Sequence, residues 1–311
     1  FAVAKVVVSP NDTQFYKFDE VYARIAGNLQ TAFVKGGALA DCLDRWIAKV
    51  EDQLIDQGED EDDPQFDELV QQRFETELAD LAKEEAGADF IAVLRAYFRH
   101  KQEEDLASAM QLLAWISGSK NISASVKRDA GIKGEIASQT ALTYLKGVLS
   151  LIKKAGYSGL LVVVDEMETI MRMRGDVREK SLNGIRQILD ATPDFKGLFW
   201  LFTGTPEFYD SRKGVASLAP LHDRIAFRKS GEFVNVRQPQ LELKPFDRER
   251  LTDVALRLRE IYPSEHTHRI LNLVSNSFIE KLVAQVSTGF GGDVGIIPRQ
   301  FLREFVDVLD L

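Results

Sequence analysis

The segment best equipped for chemistry is Leu160-Leu161-Val162-Val163-Val164-Asp165-Glu166, an unbroken apolar run that ends on two carboxylates. Such a run fits a strand buried on both faces of a parallel sheet. Ligands of open parallel sheets bind beyond the carboxyl ends of the strands, so the two acids face the functional edge. There they can divide a hydrolytic task. Asp165 would hold Mg2+ through its water shell, and Glu166 would polarise the attacking water. The plain alternative is a helix start that happens to follow a strand.

A second apolar run, Gly197 to Phe202, leads into Thr203-Gly204-Thr205-Pro206-Glu207 and puts hydroxyls at the next strand end. Either Thr203 or Thr205 could sense a terminal phosphate or orient water, with Thr205 the first choice. Arg224, in Leu221-His222-Asp223-Arg224-Ile225, could reach into a neighbouring subunit's site, because a guanidinium matches developing phosphoryl charge; a structural salt bridge is the competing explanation. Arg299 follows Pro298 at the start of the last helix, and proline in a first helical turn fixes where that arginine points.

The elements that must position these residues follow from periodicity. Ala2–Val8 is β-branched and stopped by Ser9-Pro10-Asn11-Asp12, which reads as a strand and a turn. Val21, Tyr22, Ile25, Leu29 and Phe33 then recur at helical spacing, up to Gly36-Gly37. From Ala38 to about Ile136 the periodicity is helical, as in a separate subdomain inserted into the chain. A helix over about 138–154 precedes the Asp165 strand, and another over about 181–191 precedes the Phe202 strand. Phe233-Val234-Asn235-Val236 reads as a fourth strand, and 247–262, 268–286 and 298–309 read as helices. Strands alternating with helices indicate a doubly wound α/β sheet. The expected domains are 1–36 (start of the α/β core), 37–136 (helical insertion), 137–240 (the rest of the core) and 241–311 (a helical module).

Composition narrows the class. The 311 residues are 45% hydrophobic and 28% charged, which fits a globular chain. Lys+Arg 39 against Asp+Glu 48 gives −9, which argues against wholesale coating of nucleic acid or anionic membrane. One cysteine, Cys42, allows no intrachain disulfide and fits a reducing cytosol. No run approaches the ~18 apolar residues of a membrane span, so no membrane association is expected. The acidic run Glu59-Asp60-Glu61-Asp62-Asp63 reads as a solvated loop. Lys120, Lys127, Arg128 and Lys133, in a Gly/Ser-rich stretch, could touch phosphate.

Taken in order, these motifs resemble an AAA+ type P-loop ATPase. The resemblance implies Walker B in Val162–Glu166, sensor 1 at Thr203 or Thr205, an arginine finger at Arg224 and sensor 2 at Arg299 on a C-terminal helical lid. More narrowly, Val163-Val164-Asp165-Glu166-Met167-Glu168-Thr169, Arg186-Gln187-Ile188-Leu189-Asp190, Thr203-Gly204-Thr205-Pro206-Glu207 and Pro298-Arg299-Gln300-Phe301-Leu302 resemble the BREX-system ATP-binding proteins of bacterial phage defence, the BrxC/BrxD-like family. That resemblance implies ATP and Mg2+ as cofactors, a cytoplasmic location, and a homo-oligomer or other defence-system proteins as partners, with DNA left open.

One departure matters. The pattern G-x-x-x-x-G-K-[ST] occurs nowhere in the chain, so the phosphate cradle and its lysine are missing. The chain also starts at Phe1-Ala2-Val3 without methionine, which leads to the expectation that the P-loop unit lies upstream and this chain is a form without it, inactive by itself. AAA+ sheets have the strand order 5-1-4-3-2, and the first strand here matches their second. Loss of their first strand leads to the expectation of a gap, a rearranged sheet or a partner segment in its place, and of poor nucleotide affinity. A non-catalytic nucleotide switch or scaffold is the alternative function. A metal-dependent hydrolase or nuclease using Asp165, Glu166 and Glu168 is a third.

Overall fold

The structure, a computed structural model, describes the chain apart from residues 11–12, 84–85, 227–228, 231–232, 235–237, 244–245, 264–266, 290–297 and 311. It divides into two compact units, Phe1–Ala226 and Phe227–Leu311.

In the first unit, β1 (Ala2–Val7) leads to α1 (Phe18–Gly27) and a short β2 (Leu29–Gln30). Helices α2 (Leu39–Asp56), α3 (Phe66–Lys83), α4 (Ala88–Gln102), α5 (Leu106–Ile116), α6 (Ala124–Asp129) and α7 (Ala141–Lys154) follow. Then come β3 (Leu160–Asp165), a 3-10 turn (Met167–Arg172), α8 (Gly175–Ala191), β4 (Leu198–Phe202), α9 (Pro206–Asp210) and α10 (Ala219–Ile225). The sheet order is β2-β1-β3-β4. β1, β3 and β4 are parallel, whereas β2 runs antiparallel to β1, with Ala4 opposite Leu29.

Helices cover one face of this sheet. Ala2, Ala4, Val6, Leu160, Val162 and Val164 are all at most 1% exposed. Phe18, Val21 and Ile25 of α1, Leu142 and Leu145 of α7, and Ile188 of α8 gather with Trp200 on that side. The opposite face is open: Phe199 is 61% and Leu201 43% exposed, and β3 alternates buried with half-buried positions. This corrects the expectation of double burial, because an apolar run reports what a strand could bury and not whether a second layer is present.

The helices between β2 and β3 are tied to the same core. The Phe74 ring lies 4.6 Å from Trp46 and 4.5 Å from Phe98, joining α2, α3 and α4. Each fully buried aromatic of this kind stabilises the fold by about 1.5–3 kcal/mol. Trp46 Nε1 donates to Glu77 Oε2 at 2.7 Å, and Lys154 at the end of α7 approaches the same oxygen at 3.2 Å. The side chain of Asp105 caps α5 by accepting from Ser108 N at 3.1 Å, which satisfies one of the free amides of that helix start.

The second unit has a two-stranded antiparallel ladder, β5 (Lys229–Ser230) with β6 (Phe233–Val234), then α11 (Arg248–Ile261), α12 (Thr267–Leu273), α13 (Asn276–Gly289) and α14 (Pro298–Asp310). The expected fourth strand therefore pairs in a hairpin and does not join the parallel sheet; its Asn235 and Val236 lie outside the described residues. Leu251, Ala255, Ile279, Val283, Phe301, Phe305 and Leu309 form a separate core. Among the described residues no helix is long and apolar enough to cross a membrane.

Candidate functional site

β3 delivers Asp165 to the carboxyl edge of the sheet, and β4 ends one position earlier in the ladder, with Val164 opposite Phe202. The next residue of each strand therefore meets across the gap. Thr203 Oγ1 donates to Asp165 Oδ1 at 2.6 Å, and the Glu166 amide donates to the same oxygen at 3.0 Å. Lys5, two residues before the end of β1, places Nζ 2.8 Å from Asp165 Oδ2. Backbone bonds extend the ladder past the side chains, with Val8 N to Asp165 O at 3.1 Å and Met167 N to Thr203 O at 3.1 Å.

The hydrogen bonds from Lys5 and then Thr203 hold the Asp165 carboxyl down at about 2. Asp165 thus carries its negative charge throughout the neutral range. Because its pKa is depressed on folding, whatever these contacts add to stability is complete above the ordinary carboxylate value of about 3.9 and is lost as pH falls toward 2. Thr203→Val removes a donor to the charged form, so the Asp165 midpoint in a carboxyl NMR titration should move up from about 2. An unchanged midpoint would deny the threonine this role.

Glu166 has φ 60 and ψ 41, a left-handed conformation at the start of the 3-10 turn. Buried Met167 and Ile170 anchor that turn, and Glu166 itself is exposed at the edge. Glu168 Oε2 is buried without a hydrogen-bond partner among the described residues. Among the described residues no group of three or more His, Cys, Asp or Glu side chains could hold a metal ion. A cation at Asp165 would therefore depend on water and phosphate oxygens for most of its ligands, a habit typical of Mg2+.

The other expected site residues are dispersed. Thr205 precedes Pro206 at the head of α9, and its hydroxyl helps keep the Glu207 carboxyl below the usual range, after the backbone amide of Glu207 itself. The hydroxyl bonded to Asp165 is that of Thr203. Arg224 Nη2 lies 2.6 Å from Asp190 Oδ1 on α8, and its Nη1 donates to Pro220 O at 2.8 Å. Within this chain the guanidinium is thus engaged in a salt bridge. Arg299 is exposed in the first turn of α14, in the second unit. Sequence reasoning missed Lys5; its signal was a lone cation in an otherwise apolar strand.

A family model described as BREX system ATP-binding protein BrxC/D matches residues 1–311. The chain belongs to that family. Comparison with curated proteins and with solved structures returns no match. Membership in the BrxC/D family bears out the resemblance carried by the Asp165 and Thr203 motifs, and the match extends over both units.

Proposed function

We propose that this chain supplies the acid-and-hydroxyl half of an AAA+ type ATP site in a BREX phage-defence protein, and that the phosphate-cradling loop comes from residues outside these 311. The observation that carries the reading is the Asp165 carboxylate, held in place by Thr203 Oγ1 at 2.6 Å and the Glu166 amide at 3.0 Å at the carboxyl end of a parallel sheet. The strand order supports it. β1, β3 and β4 run as the 2-3-4 part of a 5-1-4-3-2 sheet, so the strand leading into a G-x-x-x-x-G-K-[ST] turn would lie beside β4. Among the described residues β4 has no partner on that side.

In this reading Asp165 holds hydrated Mg2+, which when bound neutralises charge on the phosphoryl oxygens. Thr203 keeps the aspartate in one rotamer. Glu166 accepts a hydrogen bond from the attacking water and polarises it. Thr205 remains the hydroxyl proposed to face the nucleotide in this unit, and Arg224 would have to exchange Asp190 for phosphate to act as a finger.

The absence of the loop motif, with Arg224 bound to Asp190, supports a second reading, a nucleotide switch or scaffold without turnover. Calorimetric titration of Mg2+·ATP into the chain alone should give affinity weaker than about 1 mM. The same titration into a polypeptide that also carries the loop motif should bind far more tightly. Tight Mg2+-dependent binding by the chain alone would overturn the assignment of the cradle to another segment.

A further inference from the structure

The two oxygens of Asp165 are used differently. Oδ1 accepts from the Thr203 hydroxyl and the Glu166 amide. Oδ2 meets a cation, the Lys5 ammonium at 2.8 Å. The sheet register explains how the lysine gets there. Lys5 lies opposite Val163 and Val7 opposite Asp165, so Lys5 and Asp165 share the open face of the sheet, and the lysine stem runs along that face toward the carboxyl edge. The Lys5 side chain is 56% exposed. An exposed pair of this kind exchanges at little cost.

We propose that Lys5 is an internal counter-ion that occupies Asp165 Oδ2 until a hydrated divalent cation displaces it. The inference rests on the reading of Asp165 as the cation-holding carboxylate, and deepens it. Thr203 and the Glu166 amide already align the carboxylate through Oδ1, so without Lys5 it would leave its charge uncompensated at Oδ2, open to whatever cation is near. With Lys5 in place that charge is neutralised while the site is empty. An ammonium and a hydrated divalent cation on one oxygen would repel each other across a few ångströms. Binding of one therefore weakens the hold of the other and favours its release. Lys5 has the means to leave: a flexible stem, water on its outer side and an apolar strand surface to lie on. It acts as a positioning residue that sets the cation concentration at which the site fills.

Mn2+ alone, added to the 311-residue chain, is the probe, read by paramagnetic broadening of the Glu166 and Thr203 amide signals. Lys5→Met keeps the stem and removes the charge. It should broaden those signals at a Mn2+ concentration about fivefold lower than the unsubstituted chain requires, the size expected for one unit charge near 4 Å in water. Lys5→Arg, which keeps the charge, should need at least as much Mn2+ as the unsubstituted chain. Asp165→Asn should abolish the broadening in either background. A lysine that merely braced the strand would shift the unfolding midpoint and leave the Mn2+ concentration where it was. Equal or weaker Mn2+ binding by Lys5→Met overturns the counter-ion and leaves Asp165 as the cation ligand. No broadening with any variant overturns the counter-ion and the cation-holding role together.

Discussion

Glu166→Gln should lower ATP turnover by about 10²- to 10⁴-fold, the usual contribution of a positioned base, in a polypeptide or complex that includes the phosphate loop, while Mg2+·ATP affinity stays nearly unchanged. Glutamine preserves the size and backbone preference of the residue and removes the charge that polarises water. The left-handed backbone at Glu166, φ 60 and ψ 41, provides a control. A side chain in that conformation costs roughly 1–2 kcal/mol, which glycine avoids. The added freedom of the unfolded chain takes back about 0.4–1 kcal/mol. Glu166→Gly should therefore hold or raise the unfolding midpoint and still abolish turnover, separating the chemistry from the fold. Steady-state phosphate release and nucleotide titration decide the matter. Loss of binding together with turnover would move Glu166 to a binding role, and retained turnover would remove it from the reaction.

The parts of this site that could be read from sequence are those whose neighbours are close in the chain. Asp165 and Glu166 follow an apolar run, and the run alone placed them at a strand end. The choice between Thr203 and Thr205 could not be made that way. Both hydroxyls leave β4 two residues apart, and only the ladder, with Val164 opposite Phe202, puts Thr203 rather than Thr205 against Asp165. Lys5 was further from reach, because its partner lies in a different strand on the far side of the whole helical segment. Arg224 shows the same limit. Its pairing with Asp190 joins α10 to the end of α8, and local sequence carries no trace of it.

In the fold, long amphipathic helices were legible and short or cooperative features were not. The helical spacing of Val21, Tyr22, Ile25, Leu29 and Phe33 runs past the true end of α1 at Gly27. Leu29 is buried instead by pairing with Ala4, a two-residue strand that periodicity cannot distinguish from another helical turn. Helix α8 starts at Gly175, ahead of the expected 181, because its first turns are polar and pack little. The open sheet face was hidden for a different reason. Val163, Phe199 and Leu201 are as apolar as residues with a second layer above them, and composition does not tell whether that layer belongs to the same chain.

Gly159→Ala should destabilise the first unit severely, by about 3 kcal/mol or more. Gly159 has φ +156, and a β-carbon there would fall 2.1 Å from the Gly197 carbonyl oxygen, inside any tolerable contact. That oxygen cannot retreat, because it accepts from Leu160 N at 2.9 Å, while Gly159 O accepts from Ala2 N at 2.9 Å. The two glycines therefore start β3 and β4 in register, and the register carries forward to Asp165 and Thr203. A slip of one residue would turn Asp165 toward the covered face, since side chains alternate along a strand. Urea unfolding measures the loss, and the Asp165 midpoint, about 2 in the intact site, should rise in whatever folded population survives. Gly131→Ala is the matched control. Its φ is +70 with nothing within 4 Å of an added β-carbon, so it should cost only the backbone strain of about 1–2 kcal/mol. If both variants lose the same stability, the close approach of the two strand starts contributes nothing, and the register of the site must be set elsewhere.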